Sequence, residues 1–318
     1  MPPRKLAKIA VAALDDIKAR DIAVLDVRKL TNLYDTLVIA TAESNRQVKA
    51  LASHVREQLE AAGATIIGVE GEATAEWVFH VPPHPREGGG VTWARVEEIT
   101  RARLLMDRHL LDAASTGSTR RIVYVADTSC YGATGPRPIT EDDPPRPSAW
   151  GRCLAPAFDR LDGYIAAGLP IVTALPGWAY GNASWFRERV IEPVLGGRPV
   201  LQIGTQAPWV SPIHVHDCAR ALVHLAERGE VGGRYFLVNT DPVRMDELAE
   251  TFARLATRRL RVWRLPSVAS RFVFGPLLAD SLKTDAVFSN ARLRGIGFRF
   301  TYPTLEHGLE QVVGALND

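Results

Sequence analysis

Hydrophobic positions in the first 80 residues follow helical and strand-like periods in turn. Apolar side chains recur every three or four residues over 4–20 and 45–62, which predicts two amphipathic helices. Ser44 can cap the second helix and Gly63 can end it. Short apolar runs predict four strands, at 22–27, 35–41, 64–71 and 76–81. The predicted order is α-β-β-α-β-β, a small mixed α/β domain.

A segment rich in proline and glycine then interrupts this pattern. Residues 82–90 read PPHPREGGG, a composition that can continue neither a helix nor a central strand. We therefore predict a first domain at 1–81, a linker at 82–92 and a second domain at 93–318.

Beyond the linker, predicted strands and helices alternate. Buried-type strands are predicted at 121–127, 169–176 and 234–238. The predicted helices lie at 93–114, 150–167, 184–195, 216–228 and 244–257, and residues 266–316 are predicted to be mostly helical. Alternation of this kind is typical of a doubly wound, Rossmann-like parallel sheet. The predicted fold class is therefore α/β, with a small mixed lobe followed by a partial parallel-sheet lobe.

Composition and charge limit the possible partners. The 318 residues carry a formal net charge of only +2, and residues 1–80 hold ten Lys or Arg against eleven Asp or Glu. Charge alone therefore does not direct the chain to nucleic acid, and the first domain is expected to meet a protein surface rather than bare RNA. No sequence-specific contact with nucleic acid is expected.

Cysteine usage and hydropathy indicate the compartment. The three cysteines, Cys130, Cys153 and Cys218, are odd in number and far apart, which fits a reducing compartment and no zinc site. Asp15 and Asp16 interrupt the N-terminal apolar stretch too early for a signal peptide. No uncharged apolar stretch reaches about 18 residues, so we expect a cytoplasmic protein without a membrane partner.

Four short motifs in the first domain resemble the Iojap or ribosomal silencing factor (RsfS) family. They are Asp35 at the start of a strand, the SNRQV segment at 44–48, the GVEG segment at 68–71, and Trp77 on the next strand. The resemblance covers roughly residues 5–80. It implies a protein that binds a large-subunit ribosomal protein where the small subunit docks, blocks subunit joining and lowers translation. The implied partner-binding residues are Asp35, Arg46, Glu70 and Trp77.

Structural explanations of these residues remain open. Asp35 can cap or hydrogen-bond a turn, and Arg46 can belong to the start of a helix. Trp77 can lie in the core instead of anchoring a partner. In the family, the strand that carries the tryptophan continues into a further strand, whereas here it meets the linker. The first domain is therefore expected to be truncated at its end.

Five segments of the second domain resemble the extended short-chain dehydrogenase/reductase family, in its NAD-dependent epimerase/dehydratase group. They are RRIVYVADTSCYG at 120–132, ITEDDPPRPSAWG at 139–151, LPGWAYG at 175–181, SPIHVHDCARAL at 211–222 and GGRYFLVN at 232–239. The resemblance implies a Rossmann fold and hydride transfer to and from NAD or NADP.

The groups that this chemistry requires are replaced. The family's glycine-rich turn, which holds the pyrophosphate, is absent, and 88–90 is no substitute because it follows prolines rather than a strand. Trp150 stands where the family has its catalytic Tyr, Leu154 where it has Lys, and Asp127 where it has Ser or Thr. These three degenerate positions predict no catalytic residue and no bound nicotinamide cofactor.

Three other features suggest chemistry but have structural explanations. His214, His216 and Asp217 resemble a metal cluster, yet they fall at a predicted helix start, and no metal is expected. Cys153 could be a nucleophile or a buried structural thiol. The RRLRVWR segment at 258–264 fits an edge strand, an exposed helix end or, less well, a nucleic-acid contact.

Three hypotheses for function follow. The first is a silencing-factor-like interaction protein with a catalytically degenerate epimerase-like appendage. The second is an NAD(P)-dependent nucleotide-sugar epimerase or dehydratase, and the third is a gene-fusion product without a joint function. A nicotinamide-binding titration separates the first two.

Overall fold

The computed structural model describes residues 3–28, 35–66, 76–82, 93–115, 119–275, 279, 282 and 285–316. The helices are α1 (Pro3–Asp16), α2 (Asn45–Ala61), α3 (Trp93–Ser115), α4 (Ala149–Ala166), α5 (Glu192–Leu195), α6 (Val215–Arg228), α7 (Met245–Leu255), α8 (Ser267–Phe274), α9 (Ala291–Gly295) and α10 (Leu305–Gly314). A 3-10 turn spans Thr128–Cys130, and a π-helical turn, Arg187–Ile191, leads into α5.

The strands alternate with these helices along the chain. They are β1 (Arg20–Asp26), β2 (Thr36–Thr41), β3 (Trp77–His80), β4 (Arg121–Val125), β5 (Ile171–Pro176), β6 (Trp178–Tyr180), β7 (Val200–Ile203), β8 (Trp209–Val210), β9 (Pro212–His214), β10 (Arg234–Leu237), β11 (Val243–Arg244) and β12 (Val262–Leu265). In the described part of the chain, no helix is long and apolar enough to cross a membrane.

The chain divides into two compact units. The first comprises Met1–Arg86 and Leu105–Arg120, and the second comprises Glu87–Leu104 and Arg121–Asp318. The sequence placed the whole of 93–318 in one domain, whereas the second half of α3 groups with the first unit. The predicted linker, 82–92, lies almost wholly outside the described residues.

An antiparallel ribbon and two helices form the body of the first unit. β1 pairs with β2, with Val24 opposite Val38 and Leu25 opposite Leu37. α1 packs against α2 and the ribbon, and Leu51 is among the buried residues. α1 ends at Asp16, earlier than the predicted residue 20, because the chain enters the left-handed region at Lys18 (φ 59°).

Reciprocal hydrogen bonds fix the start of α2. Ser44 Oγ accepts from Gln47 N at 3.2 Å, and Gln47 Oε1 accepts from Glu43 N at 2.7 Å. The Gln47 side-chain amide also donates to Ile17 O at 3.2 Å, which ties this end of α2 to the end of α1. Gly63 ends the helix with φ 81°, as predicted.

The second half of α3 completes the first unit. Asp107 is buried and bonds to the buried His80 of β3, with 2.5 Å between Oδ1 and Nε2. His109 Nδ1 lies 3.3 Å from Thr41 Oγ1 of β2, and Leu111 is buried. A segment that the sequence attributed to the second domain therefore supplies buried contacts to the truncated first one.

Parallel strands form the centre of the second unit. β5 pairs with β4 on one side, with Val172 opposite Val123, and with β10 on the other, with Leu175 opposite Phe236. α6 packs on β4 and β5, where Leu225 belongs to one buried cluster. The predicted parallel α/β organisation is confirmed, and its strands are mostly apolar and buried, as expected for a sheet with both faces covered.

A second buried cluster lies beyond the sheet. It combines the π-helical turn, α7 and α10, through residues that include Phe186, Val190, Phe252 and Leu309. Three further strand pairs complete the unit: β6 with β9, β7 with β12, and β8 with β11.

Two predicted segments differ in detail from the structure. The segment 266–316 holds the helices α8, α9 and α10, but Ala286 and Phe288 between them form isolated bridges with Val210 and Ile139. Residues 64–66 carry no strand, and the rest of the predicted strand 64–71 lies outside the described residues.

The buried bond between His80 and Asp107 gives the first prediction. The Asp107→Ala substitution removes the carboxylate that bonds to the buried imidazole of His80, which should cost about 1–3 kcal/mol of local stability. Amide hydrogen exchange should accelerate in β3 and in the second half of α3.

Arg108→Ala is the matched control, because Arg108 is the next residue of the same helix and is exposed. It should leave exchange in β3 unchanged. Equal exchange rates in the two variants would show that the bond does not hold this part of the unit together.

Candidate functional site

One face of β3 presents an apolar row to solvent. Trp77, Phe79 and the following Val81 are 42%, 41% and 58% exposed, whereas the intervening His80 is buried. Alternate residues of a strand point to opposite faces, so the buried bond of His80 sets the outward direction of the other three. Trp77 is therefore a surface side chain rather than a core residue.

The other sequence-predicted contact residues are distributed over the first unit. Asp35 is exposed at the start of β2, and its backbone carbonyl accepts from Val27 N at 3.1 Å. Arg46 is exposed on the first turn of α2, where Ser44 and Gln47 do the capping. Among the described residues, no hydrogen bond or ion pair joins Asp35, Arg46 and Trp77. Glu70 lies outside the described residues.

In the second unit, two of the degenerate positions bind each other. Asp127 Oδ1 accepts from Ser129 N at 2.7 Å and so caps the 3-10 turn. Its other oxygen, Oδ2, accepts from the indole Nε1 of Trp150 at 3.3 Å. The indole N–H does not titrate, so Trp150 cannot act as an acid or a base toward the Asp127 carboxylate that it bonds to.

The third degenerate position is buried. Leu154, one turn after Trp150 on α4, is part of the core. Gly151, the residue after Trp150, allows α4 to pack closely against the 3-10 turn. A Cβ at this position would lie only 2.1 Å from Ser129 O. An apolar, tightly packed helix start therefore lies where the resemblance predicts a proton-transferring pair.

These residues do not fit a nicotinamide cofactor. Binding of the cofactor's ribose and proton transfer to the substrate both need ionisable or hydroxyl groups that face an open site. Here Asp127 is committed to Ser129 and Trp150, and Leu154 offers only a buried hydrocarbon. We therefore derive no hydride-transfer step for this unit. Residues 88–90 lie outside the described residues.

The histidine and aspartate cluster near α6 has structural bonds. The buried Asp217 accepts from the backbone amides of Thr301 and Tyr302 at 2.9 and 2.8 Å. His214 Nδ1 accepts from His216 N at 3.2 Å, and its Nε2 lies 3.0 Å from Gln311 Oε1. Burial lowers the pKa of His214, which favours the neutral ring. The cluster joins the start of α6 to the C-terminal segment.

The cysteines are poor nucleophiles for a common reason. Burial disfavours the thiolate and raises the pKa of Cys130 to about 12 and that of Cys218 to about 11. Burial also raises the pKa of Cys153, against a smaller opposing effect of Arg152. Cys153 Sγ lies 3.5 Å from Ala149 O, within its own helix, which supports the structural explanation.

Sequence reasoning missed two residues of the exposed row. Phe79 and Val81 share the exposed face of Trp77 and extend it along the chain. The sequence signal was that positions 77, 79 and 81 are all apolar and share one face of a strand, although this pattern alone does not say which face is buried.

Comparisons with known proteins support both resemblances. Residues 1–80 match the family described as "Ribosomal silencing factor during starvation". The ribosomal silencing factor RsfS of Chromobacterium violaceum is 49% identical over 79 residues, which are 25% of this chain and 65% of that protein. This chain therefore spans about two thirds of that relative's length.

Other comparisons match epimerase family proteins. One from Staphylococcus aureus (strain MRSA252) is 29% identical over 217 residues, which are 68% of this chain and 67% of that protein. The structure of a human epimerase family protein, SDR39U1, with NADPH matches with a TM-score of 0.67 at 20% identity, covering 81% of this chain and 85% of that one. A Thermus thermophilus UDP-glucose 4-epimerase in complex with NAD matches with a TM-score of 0.62 at 21% identity, covering 86% and 82%.

These findings confirm the predicted fold class. The chain has an RsfS-type segment at its N-terminus and an epimerase-like, Rossmann-like region after it. At 20% and 21% identity, the structural matches show the fold alone.

Thiol reactivity provides the second prediction. In the folded protein at pH 8, a disulfide reagent should modify the partly exposed Cys153 before the buried Cys130. Both rates should rise with pH, because only the thiolate attacks and the raised pKa values keep these thiols neutral near pH 8.

The Cys153→Ser variant is the control and should lose only the faster phase of thiol modification. Modification of Cys130 at the rate of a free thiol would contradict the burial that raises its pKa.

Proposed function

We propose that the first unit binds the large ribosomal subunit and hinders subunit joining, so that the chain represses translation in the cytoplasm. The second unit is a body with an epimerase-like fold that contributes no oxidoreductase chemistry. The observation that carries the proposal is the 49% identity to a ribosomal silencing factor over 79 residues. Because this chain spans 65% of that protein, the activity of the whole relative is part of the proposal.

The exposed row on β3 is the proposed anchor of the complex. Aromatic residues are enriched among the side chains that dominate protein interfaces, and Trp77 and Phe79 lie side by side on one strand face. The contact is proposed to be with a ribosomal protein at the subunit interface, since the first 80 residues are nearly balanced in charge. Asp35 and Arg46 are exposed and are proposed as polar contacts, together with Glu70.

The residues beneath this row support the proposal. A flat apolar row binds well only if its strand is held rigid, because ordering a loose strand would cost conformational free energy. The buried bond between His80 and Asp107 holds the strand from behind. The second half of α3 thus supports a docking surface in a domain that ends early.

An oxidoreductase is the second candidate. The likeness to structures that contain NAD or NADPH favours it. The bonds of Asp127 and the burial of Leu154 weigh against it, because Trp150 and Leu154 cannot transfer a proton and Asp127 already accepts from Ser129 and Trp150. A fusion product without a joint function is the third, and it predicts neither ribosome binding nor cofactor binding.

Co-sedimentation of the full chain with isolated large subunits tests the ribosomal proposal. Trp77→Ala should weaken binding by about 2 kcal/mol or more, roughly thirtyfold, if Trp77 anchors the interface. Val81→Ala should weaken it less, because it removes a smaller apolar surface.

The control for Val81→Ala is Val231→Ala, which changes a similarly exposed valine of the second unit. It should bind like the unmodified chain. Failure of the unmodified chain to sediment with large subunits would overturn the proposal, and undiminished binding by Trp77→Ala would remove this residue from the interface.

A titration with NADH and NADPH tests the enzyme alternative. We expect no micromolar binding by the full chain, and none after Trp150→Tyr is combined with Leu154→Lys, because the pyrophosphate-binding turn is also absent from the sequence. Leu154→Lys should lower the unfolding temperature of the second unit, since it places a charge in the core.

Leu154→Met is the control and should keep the stability nearly unchanged. Micromolar binding of either nucleotide by the unmodified chain would revive the oxidoreductase hypothesis.

A further inference from the structure

A stretch of the second unit combines positive charge with exposed apolar side chains. Residues 257–275 contain five arginines and no aspartate or glutamate, although the whole chain has a net charge of only +2. The described part of this stretch includes β12 and α8. We call the exposed apolar side chains of β12 and α8, together with Leu201 of β7, the basic apolar patch.

The strand part of the patch lies on one face of a two-stranded ribbon. β12 pairs in parallel with β7, which places Trp263 beside Leu201 and Leu265 beside Ile203. At one end of this face, Leu265 and Ile203 pack with Phe274 of α8. At the other end, Leu201 and Trp263 remain 42% and 65% exposed. α8 therefore covers only half of an apolar face.

The helix part of the patch points away from the ribbon. Ser270 and Phe274 of α8 are buried, whereas Val268 and Phe272 are 75% and 86% exposed. Val268 and Phe272 are four residues apart and so lie on the same side of the helix. Several large apolar side chains exposed together usually mark an interaction surface.

The charges around the patch are mostly positive. Arg261 and Arg271 are exposed, and residues 257–275 contain no acidic residue. Arg264 is also exposed, but its Nε bonds to Gln202 Oε1 at 3.4 Å, and both residues alternate with Trp263 and Leu201, so they lie on the opposite face of the ribbon. Asp246 of α7 bonds to the amide of the same Gln202 at 3.4 Å and therefore also lies on that opposite face. The arginines on the side of the patch favour an anionic partner.

We propose that the basic apolar patch docks on the surface of an anionic phospholipid bilayer. Aliphatic and aromatic side chains enter the boundary between headgroups and acyl chains, while the arginines contact lipid phosphates. This is the combination that the patch offers, with Val268, Phe272 and Trp263 exposed beside several arginines. Peripheral docking requires no membrane-spanning helix. The lack of an apolar stretch of about 18 residues therefore does not weigh against it.

Two other occupants fit less well. A second copy in a symmetric dimer would place the patch against itself, with like charges face to face. A single-stranded nucleic acid would match the arginines and the two aromatic rings, but the exposed valines offer its bases no stacking partner. The proposal does not depend on the ribosomal function, which belongs to the first unit.

Co-sedimentation of the full chain with vesicles tests the proposal. Vesicles of phosphatidylcholine with about one third phosphatidylglycerol should bind the chain, and vesicles of phosphatidylcholine alone should bind it at least about fivefold more weakly. Phe272→Ser should weaken binding to the anionic vesicles about tenfold or more, because the phenyl ring no longer enters the bilayer. Arg271→Gln should weaken it about fivefold.

Val268→Ser is compared with Val231→Ser, which changes an exposed valine outside the patch. Only Val268→Ser should reduce vesicle binding, and both variants should keep the unfolding temperature of the parent. Equal binding by these two variants, or no preference for anionic vesicles, would overturn the proposal. Two other results would also overturn it in favour of another occupant: a patch-dependent dimer in solution, or binding of an RNA oligomer without vesicle binding.

Discussion

The hydrogen bond between His80 and Asp107 is the contact on which the proposed binding surface depends. It buries one face of β3 and leaves Trp77, Phe79 and Val81 on the other face in solvent. An unpartnered imidazole or carboxylate at this depth would be costly, so the two side chains hold strand and helix together. The first unit thereby gains a supporting helix from the sequence that follows β3.

The second unit has an epimerase-like fold, and we propose that it lacks the corresponding chemistry. The parallel strands need only apolar side chains on both faces, and these are present in β4, β5 and β10. Catalysis needs particular titratable groups in an open site, and here Asp127 and Trp150 satisfy each other while Leu154 joins the core. The fold therefore tolerates changes that the reaction would not, which is why likeness of fold does not establish activity.

The two proposed surfaces suit different kinds of partner. The row on β3 is apolar in a segment with balanced charge, which suits a protein partner. The basic apolar patch joins exposed valines and aromatics to several arginines, which suits an anionic bilayer. Each surface lies within one unit, so substitutions in one should leave the binding of the other partner unchanged.

The sequence by itself determined the two kinds of fold and most helix positions, because these depend on local periodicity, caps and motifs. Ser44 and Gly63 could be predicted as helix ends because the Ser44 cap bond and the left-handed conformation of Gly63 are local features. Only the tertiary structure decided that Trp77 is exposed, that residues 105–120 group with the first unit, and that Trp150 bonds to Asp127. These facts depend on partners 23 or more residues away, as in the pairs Asp127–Trp150 and His80–Asp107. Periodicity along the chain cannot specify such pairs, since it reports which side chains share a face but not what covers that face.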